Sequence, residues 1–339
     1  MTPQTIRELA RACGFELAGV AAAAPAEDRA RYHQWVAAGR AGQMGYLTDH
    51  RAALRDDPRR LLPSARSVVC VGKLYQTPWP HTTRFDDQAR GWISRYGWGE
   101  DYHDLMRRGL ERFDLLLRER AGAPLESRIC VDTAPLLERS YARLAGLGWI
   151  GRNTCLINQQ QGSWFFLGEL LLSLEIPPDA PPPDRCGTCT RCIDACPTQA
   201  IVPGKGLDAT LCISYFTIEL RGTIPEGSRA AMGAHVFGCD ICQDVCPWNR
   251  RAPVSGEPAF TPRHFAPPLE ELAAISEAEF RAMFRGTPVT RSRYRGFLRN
   301  VAVAMGNART EKLRAPLERL ADSPDAVVAE HARWALAQM

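Results

Sequence analysis

Apolar positions recur at helical spacing across residues 2–13, where Ile6, Leu9, Ala10 and Cys13 share one face and Gly14 suits the stop. Residues 15–20 then read as a strand, followed by a helix over 27–38 that ends at Gly39. The run 67–75 (Ser-Val-Val-Cys-Val-Gly-Lys-Leu-Tyr) is rich in β-branched residues and fits a central strand. A helix carrying Leu105, Leu110, Phe113, Leu116 and Leu117 follows, then a strand at 128–131 and a helix over 136–144. The longest apolar run, 164–175, reads as a core strand, although periodicity alone also accommodates a helix. This alternation predicts an α/β core over about the first 175 residues.

Ile176-Pro-Pro-Asp-Ala-Pro-Pro-Pro-Asp184 breaks the pattern, because a proline cluster stiffens the chain and cannot enter a sheet interior. It separates an expected first domain, 1–176, from a second over 177–263, and the pattern changes again for a third over 264–339. In that last stretch 300–307 (Asn-Val-Ala-Val-Ala-Met-Gly-Asn) and 331–338 (His-Ala-Arg-Trp-Ala-Leu-Ala-Gln) align at a shift of 31 residues, with a helix expected at 311–321 between them. A helix pair repeating at this period marks an α-solenoid fragment; three unrelated helices in a bundle are the plainer reading.

The chain has 339 residues, 45% hydrophobic and 24% charged, which is ordinary for a soluble protein with room for two or three cores. No apolar run approaches the roughly 20 residues that span a bilayer. The N-terminus carries neither an apolar signal core nor a twin arginine, so a cytoplasmic protein without membrane attachment is expected, with monomer as the default. Net charge is only +4, yet residues 281–319 hold ten basic side chains against Glu311 and Glu318, a local net charge of +8. Arg291, Arg293, Arg295 and Arg299 lie at the centre of this segment. Arginines give bidentate contacts to phosphate, so the cluster is a candidate nucleic-acid surface, against the alternative of a solvated face.

Cysteine spacing is the most specific signal. Cys186-x2-Cys189-x2-Cys192-x3-Cys196-Pro has the form of a bacterial-ferredoxin iron–sulfur run, whose fourth cysteine serves the other of two clusters. The second run, Cys239-x2-Cys242-x3-Cys246-Pro, is one ligand short, and Cys212 between the runs is the natural replacement. The spacing therefore assigns Cys186, Cys189, Cys192 and Cys246 to one 4Fe–4S cluster, and Cys196, Cys212, Cys239 and Cys242 to another. Zinc has no use for a triple run closed by Cys-Pro, and disulfides would need an oxidising compartment. Cys13, Cys70, Cys130 and Cys155 sit singly among apolar residues and read as small buried hydrophobes. Asp132, between a strand and a helix, reads on its own as a helix N-cap.

Several motifs together are narrower than the cysteines alone: Ser94-Arg-Tyr-Gly-Trp-Gly-Glu-Asp101-Tyr102-His103, Val131-Asp132-Thr133, Gly151-Arg-Asn-Thr-Cys-Leu-Ile157 with Gly162-Ser163, Cys246-Pro-Trp-Asn249, and the stretch from Gly296 to Asn307. With these the whole chain resembles the epoxyqueuosine reductases, cobalamin-dependent iron–sulfur enzymes of tRNA modification. The resemblance implies a nitroreductase-like α/β domain that binds cobalamin, a ferredoxin-like domain with two 4Fe–4S clusters, and a HEAT-like tail that helps hold tRNA. It implies reduction of the epoxide of epoxyqueuosine at the wobble position to queuosine, with electrons from an external reductant. Removing an epoxide oxygen takes two electrons and two protons, while each cluster passes one electron at a time, so a centre that collects two is required.

By the same resemblance Asp132 is the proton donor and a cofactor contact, which calls for a pKa raised by burial. Arg55 and Ser94 match positions that contact cobalamin, and Ile157, Ser214 and Arg221 lie where relatives approach cofactor or tRNA. Some relatives carry cysteine at the Ser94 position. The family places no protein histidine on cobalt, so Asp101-Tyr102-His103 reads as a structural or pocket element. The competing readings are a cobalamin-dependent reductive dehalogenase, which carries an export signal and no helical-repeat tail, and a non-catalytic ferredoxin-like electron carrier or tRNA scaffold.

Overall fold

A computed structural model describes residues 1–339, save residues 85, 123 and 205 and the side chain of residue 83. Its first half is built from α1 (Pro3–Ala12), β1 (Leu17–Ala22), β2 (Ser67–Leu74), α2 (Tyr102–Ala121), β3 (Ser127–Cys130), α3 (Glu138–Leu144) and β4 (Phe165–Leu172). The strands form one sheet in the order β1-β2-β4-β3, with Val20 opposite Val69, Val69 opposite Leu170 and Ile129 opposite Leu170. On one face Val69, Val71 and Leu170 pack with Ile6 of α1 and Met106, Leu110 and Phe113 of α2. On the other, Val68, Cys70, Cys130 and Leu171 pack with Tyr141 and Ala142 of α3.

The expected mixture of helix and sheet is present, but every pair in this sheet is antiparallel. The sequence pattern does not set strand direction, for a physical reason. A strand covered on both faces is buried at every position, as β2 is, and its largely apolar run would serve equally in a parallel sheet covered on both faces by crossover helices. Element positions agree with the expectations to within about two residues, the usual uncertainty of helix and strand ends. The expected helix at 311–321 instead opens with a 3-10 turn over Glu311–Leu313 and continues as a helix from Arg314, with Pro316 in the first turn where its missing N–H costs nothing.

The proline-rich stretch is tied back onto the sheet: Ile176 N–H donates to Ser67 Oγ at 2.9 Å, and Asp179 accepts from Val20 N–H at 3.0 Å and pairs with Arg7. The cysteine region that follows is made of short turns and helices.

The C-terminal helices are α4 (Leu269–Ala274), α5 (Glu277–Met283), α6 (Arg293–Ala308), α7 (Arg314–Ala321) and α8 (Ala326–Leu336). A Cβ on Gly306 would stand 2.7 Å from the Cα of Ala335, so glycine is what lets α6 and α8 approach. Their apolar interior, with Phe297, Val301, Leu317 and Val328, runs on into Trp92, Trp98 and Phe237. Among the described residues no helix is long and apolar enough to cross a membrane.

Candidate active site

The turn after β3 fixes the first catalytic candidate. Asp132 has φ +46°, and Thr133 N–H donates to Val131 carbonyl oxygen at 2.5 Å, which closes a γ-turn on Asp132. An L-residue there is strained, and such strain persists only where the surroundings over-determine it. Helix α3 begins six residues later, after Leu137, so Asp132 is not its N-cap. Its carboxylate Oδ2 lies 3.1 Å from His103 Nε2 and 3.7 Å from Arg291.

His103 is placed by Asp101, the N-cap of α2, which accepts the His103 backbone N–H at 3.0 Å and lies 2.6 Å from its ring Nδ1. Burial opposes a charged ring, but the hydrogen bonds to Asp101 and Asp132 outweigh it and raise His103 to about 9. Burial alone would raise Asp132. The hydrogen bond and charge of His103, with Arg291, instead hold it below the ordinary carboxylate range. This corrects the expectation of a raised Asp132: the proton of the pair resides on the imidazole.

Asp132, His103 and Arg291 open onto a cavity of about 810 Å³. One wall is aromatic, with Tyr102 stacked on Phe166 at 4.1 Å between ring centres and Tyr75 on Phe166 at 4.4 Å. Another is a single π-helical turn, Tyr215–Glu219, that presents Ile218 and Glu219, with Ser214 just before it. Glu219 anchors Arg291 at 2.7 Å. Such turns leave carbonyls without their usual partners and recur at functional sites.

Cys196, Cys212, Cys239 and Cys242 line the same cavity. The Cys239 thiol, raised first by burial, also feels Cys212 and Cys196, and Cys242, raised first by its hydrogen bond to Cys155 and then by burial, also feels Cys239 and Cys212; Cys155, expected to be a small buried hydrophobe, instead lines the cavity beside this group. Cys192 feels Cys186 and Cys189, and Cys246 feels Cys186 and Cys192. Eight thiols thus stand in two groups of four, a donor set that suits two clusters held by four cysteines each. Among the described residues no three His, Cys, Asp or Glu side chains close on a single ion. A cube whose ligands each take a different iron needs them spread more widely.

Comparison with known proteins agrees with this geometry. Residues 185–249 match the family described as 4Fe-4S double cluster binding domain, and residues 55–133 match Epoxyqueuosine reductase QueG. An epoxyqueuosine reductase of Xanthomonas campestris is 45% identical over 98% of this chain and 95% of its own length. The chain belongs to the epoxyqueuosine reductase family. Among solved structures of epoxyqueuosine reductases, one with an epoxyqueuosine-modified tRNA stem loop superposes with a TM-score of 0.88 at 29% identity, covering 99% of this chain and 89% of that one. Another, from Bacillus subtilis, has its catalytic aspartate loop swung out of the active site and superposes with a TM-score of 0.88 at 28% identity over the same shares.

The residues carried over from other epoxyqueuosine reductases divide by location. Ser94 and Ser214 line the cavity, and Ser94 Oγ is held by Asp240 at 2.5 Å. Arg55 is buried, donates to Arg51 carbonyl oxygen at 3.1 Å and lies over Tyr32; it is Arg51 that reaches the cavity wall. Ile157 lies away from the cavity, packed with Trp149 and Cys246 beside the other thiol group. Arg221 sits behind Arg291, donating to the Arg291 carbonyl oxygen at 3.1 Å.

Arg293 and Arg295 are exposed, Arg295 paired with Asp325 at 3.0 Å. Arg299 departs from the expected phosphate contact. It is 1% exposed, and its guanidinium donates to the carbonyl oxygens of Leu220 at 2.8 Å, Gly222 at 2.6 Å and Phe216. It serves the π turn, not the surface. Sequence reasoning has His103 as a structural or pocket element but misses its contact with Asp132, and it misses Arg51 as a site residue. The N-cap Asp101 two positions before His103 is the available signal for the first; Arg51, four residues before Arg55, has none.

Proposed function

We propose that this protein reduces the epoxide of epoxyqueuosine in tRNA to the alkene of queuosine, consuming two electrons and two protons and releasing water. The observation that carries the reading is one cavity onto which both the Asp132 turn and four of the eight cluster-type cysteines open. The cofactors are two 4Fe–4S clusters and cobalamin, which supply the electrons when bound. Cys196, Cys212, Cys239 and Cys242 hold the cluster next to the cavity, and Cys186, Cys189, Cys192 and Cys246 the one nearer the external reductant. The aromatic wall of Tyr75, Tyr102 and Phe166, with Ser94 and Ser214 on the polar side, suits one face of a flat macrocycle.

Asp132 and His103 manage the proton. His103 Nε2–H, protonated at neutral pH, stands against Asp132 Oδ2, and its proton passes through the Asp132 carboxyl to the departing oxygen. Arg291, anchored by Glu219, offers a fixed positive charge beside the developing alkoxide. Arg293 and Arg295 take tRNA phosphates.

The architecture we propose around this site is a nitroreductase-like unit over 1–176, a ferredoxin-like unit over 177–263 and a HEAT-like tail over 264–339. The aligned stretches within α6 and α8 support the last of these. The protein acts in the cytoplasm as a monomer.

The test is to incubate the reduced, cofactor-loaded protein with epoxyqueuosine-containing tRNA and weigh the released nucleoside. Loss of one oxygen is expected, and Asp132→Asn should cut turnover by about 10²–10⁴-fold while tRNA still binds. An unchanged nucleoside mass overturns the activity, and near-normal turnover by Asp132→Asn overturns the role of Asp132.

A further inference from the structure

Behind the Asp132 turn lies a pair of carboxyl groups that the proton chemistry above does not use. Glu138 opens α3, and Glu169 stands in the middle of β4, opposite Cys70 on one side and Cys130 on the other. Glu169 is 0% exposed, and neither of its carboxylate oxygens meets a donor among the described residues. The group that faces it is the carboxyl of Glu138. A bare Glu169 carboxylate in this apolar interior, set against a second carboxylate on the half-buried Glu138, would be prohibitively costly, whereas one shared proton removes a charge and lets a Glu169 O–H reach Glu138. Burial, and then the charge of Glu138, pushes Glu169 far above its ordinary range; burial, and then the charge of Asp132, raises Glu138 to about 7.

The far side of the pair meets the active site. Glu138 Oε1 accepts the backbone N–H of Asp132 at 2.7 Å. That bond reaches the very residue whose φ of +46° needs an external hold. The other charged and titratable groups around Glu138 are Arg139, His103, Tyr102 and the Asp132 carboxylate, with the Cys70 and Cys130 thiols beside Glu169.

We propose that Glu138 is a positioning residue for the reaction: its carboxylate pins the strained Asp132 turn by its amide, and the protonated Glu169 behind it holds Glu138 in place. This rests on the reading of Asp132 as proton donor. A singly protonated pair offers the Asp132 amide an anionic acceptor, which a neutral pair does not. Protonating Glu138 therefore loosens the turn, and turnover declines on the acid side of the pair's titration.

The test is hydrogen–deuterium exchange of the full-length protein, read by mass spectrometry on a peptide covering residues 131–136, alongside steady-state kinetics. Glu138→Ala should speed exchange at this turn about tenfold, as expected for one lost hydrogen bond. It should lower kcat by about 10–100-fold with little change in KM for tRNA. Glu138→Gln keeps an oxygen for the amide, though a neutral one, and an N–H for Glu169, so it should recover part of the protection and part of kcat but lose the acid limb near pH 7.

If the alanine variant does not fold, the neutral pair Glu138→Gln with Glu169→Gln serves: partial protection that no longer varies with pH, and the acid limb gone, is the expected result. Unaltered exchange in Glu138→Ala, or an acid limb that survives in the double variant, overturns the proposal. Exchange needs neither tRNA nor cofactors. Exchange at the turn that stays at the original rate in every Glu138 variant would therefore count against Glu138 while leaving Asp132 in its role, and an active Asp132→Asn would do the reverse.

Discussion

His103 keeps its proton to about pH 9 because Asp101 and Asp132 flank the two nitrogens of one ring. The sign of the consequence follows from linkage. A folded pKa above the unfolded value of about 6.5 contributes stability that is complete below that pH and is lost as pH rises through 9. Turnover should share the upper limit, because the deprotonated ring can no longer restock Asp132. The kcat profile is expected to fall above about pH 9, and His103→Asn should lower kcat and abolish that alkaline limb. A limb that persists unmoved in the variant would assign it to another group. This pairing is hidden in the sequence. Asp101 and His103 are neighbours there, but Asp132 lies 29 residues from His103, and only the packing of α2 against the end of β3 joins them.

At the scale of elements, the parts specified locally are legible in the sequence and the parts specified by long-range pairing are not. The two central strands announce themselves, β2 through its β-branched run and β4 through its length of apolar residues, and the cysteine loops through spacing that survives any fold. Strand direction depends on which partner lies alongside, which no local pattern encodes. Arg299 shows the same limit within one helix. Along α6 every residue from Phe297 to Gly306 is buried, so the helix has no polar stripe against which an inward arginine would stand out. In the sequence it falls in with the surface cluster, because its charge is visible there and its burial is not.

Its actual task is to satisfy the carbonyls of the π turn, with Asn300 Nδ2 donating to the Thr217 carbonyl oxygen at 2.9 Å beside it. Arg299→Ala leaves the carbonyls of Phe216, Leu220 and Gly222 without donors. A loss of about 3 kcal/mol in urea unfolding is expected, since each buried unpaired group costs about 1–3 kcal/mol and neighbouring losses are not additive. A shift within about 0.5 kcal/mol would mean that the turn holds itself.

For the whole molecule, the positions of the two thiol groups and of the basic surface have to serve one event. Under the proposed function a wobble nucleoside enters the cavity from one direction while electrons arrive from another, and only one of the two thiol groups lines that cavity. The thiol group of Cys186, Cys189, Cys192 and Cys246 lies apart from the cavity lining, on turns that reach the surface. Arg291 lines the cavity, and Arg293 and Arg295 follow it in the chain at the start of α6. Because Arg299 is internal and Arg291 is committed to Glu219 and Asp132, Arg293 and Arg295 are the two of this group that the proposed function sets against phosphate.

Each phosphate neutralised adds about 0.7 to the slope of log affinity against log salt for single-stranded nucleic acid and about 0.9 for duplex. Arg293→Ala with Arg295→Ala should therefore weaken tRNA binding and flatten that slope by about 1.5, measured by filter binding between about 50 and 200 mM salt. The Arg295 partner, Asp325, provides the internal control. Asp325→Asn frees Arg295 from its ion pair and should strengthen binding slightly without lowering the slope. If the double variant binds tRNA with the original slope, the phosphates are held elsewhere, and the charge concentrated in this segment belongs to the solvent.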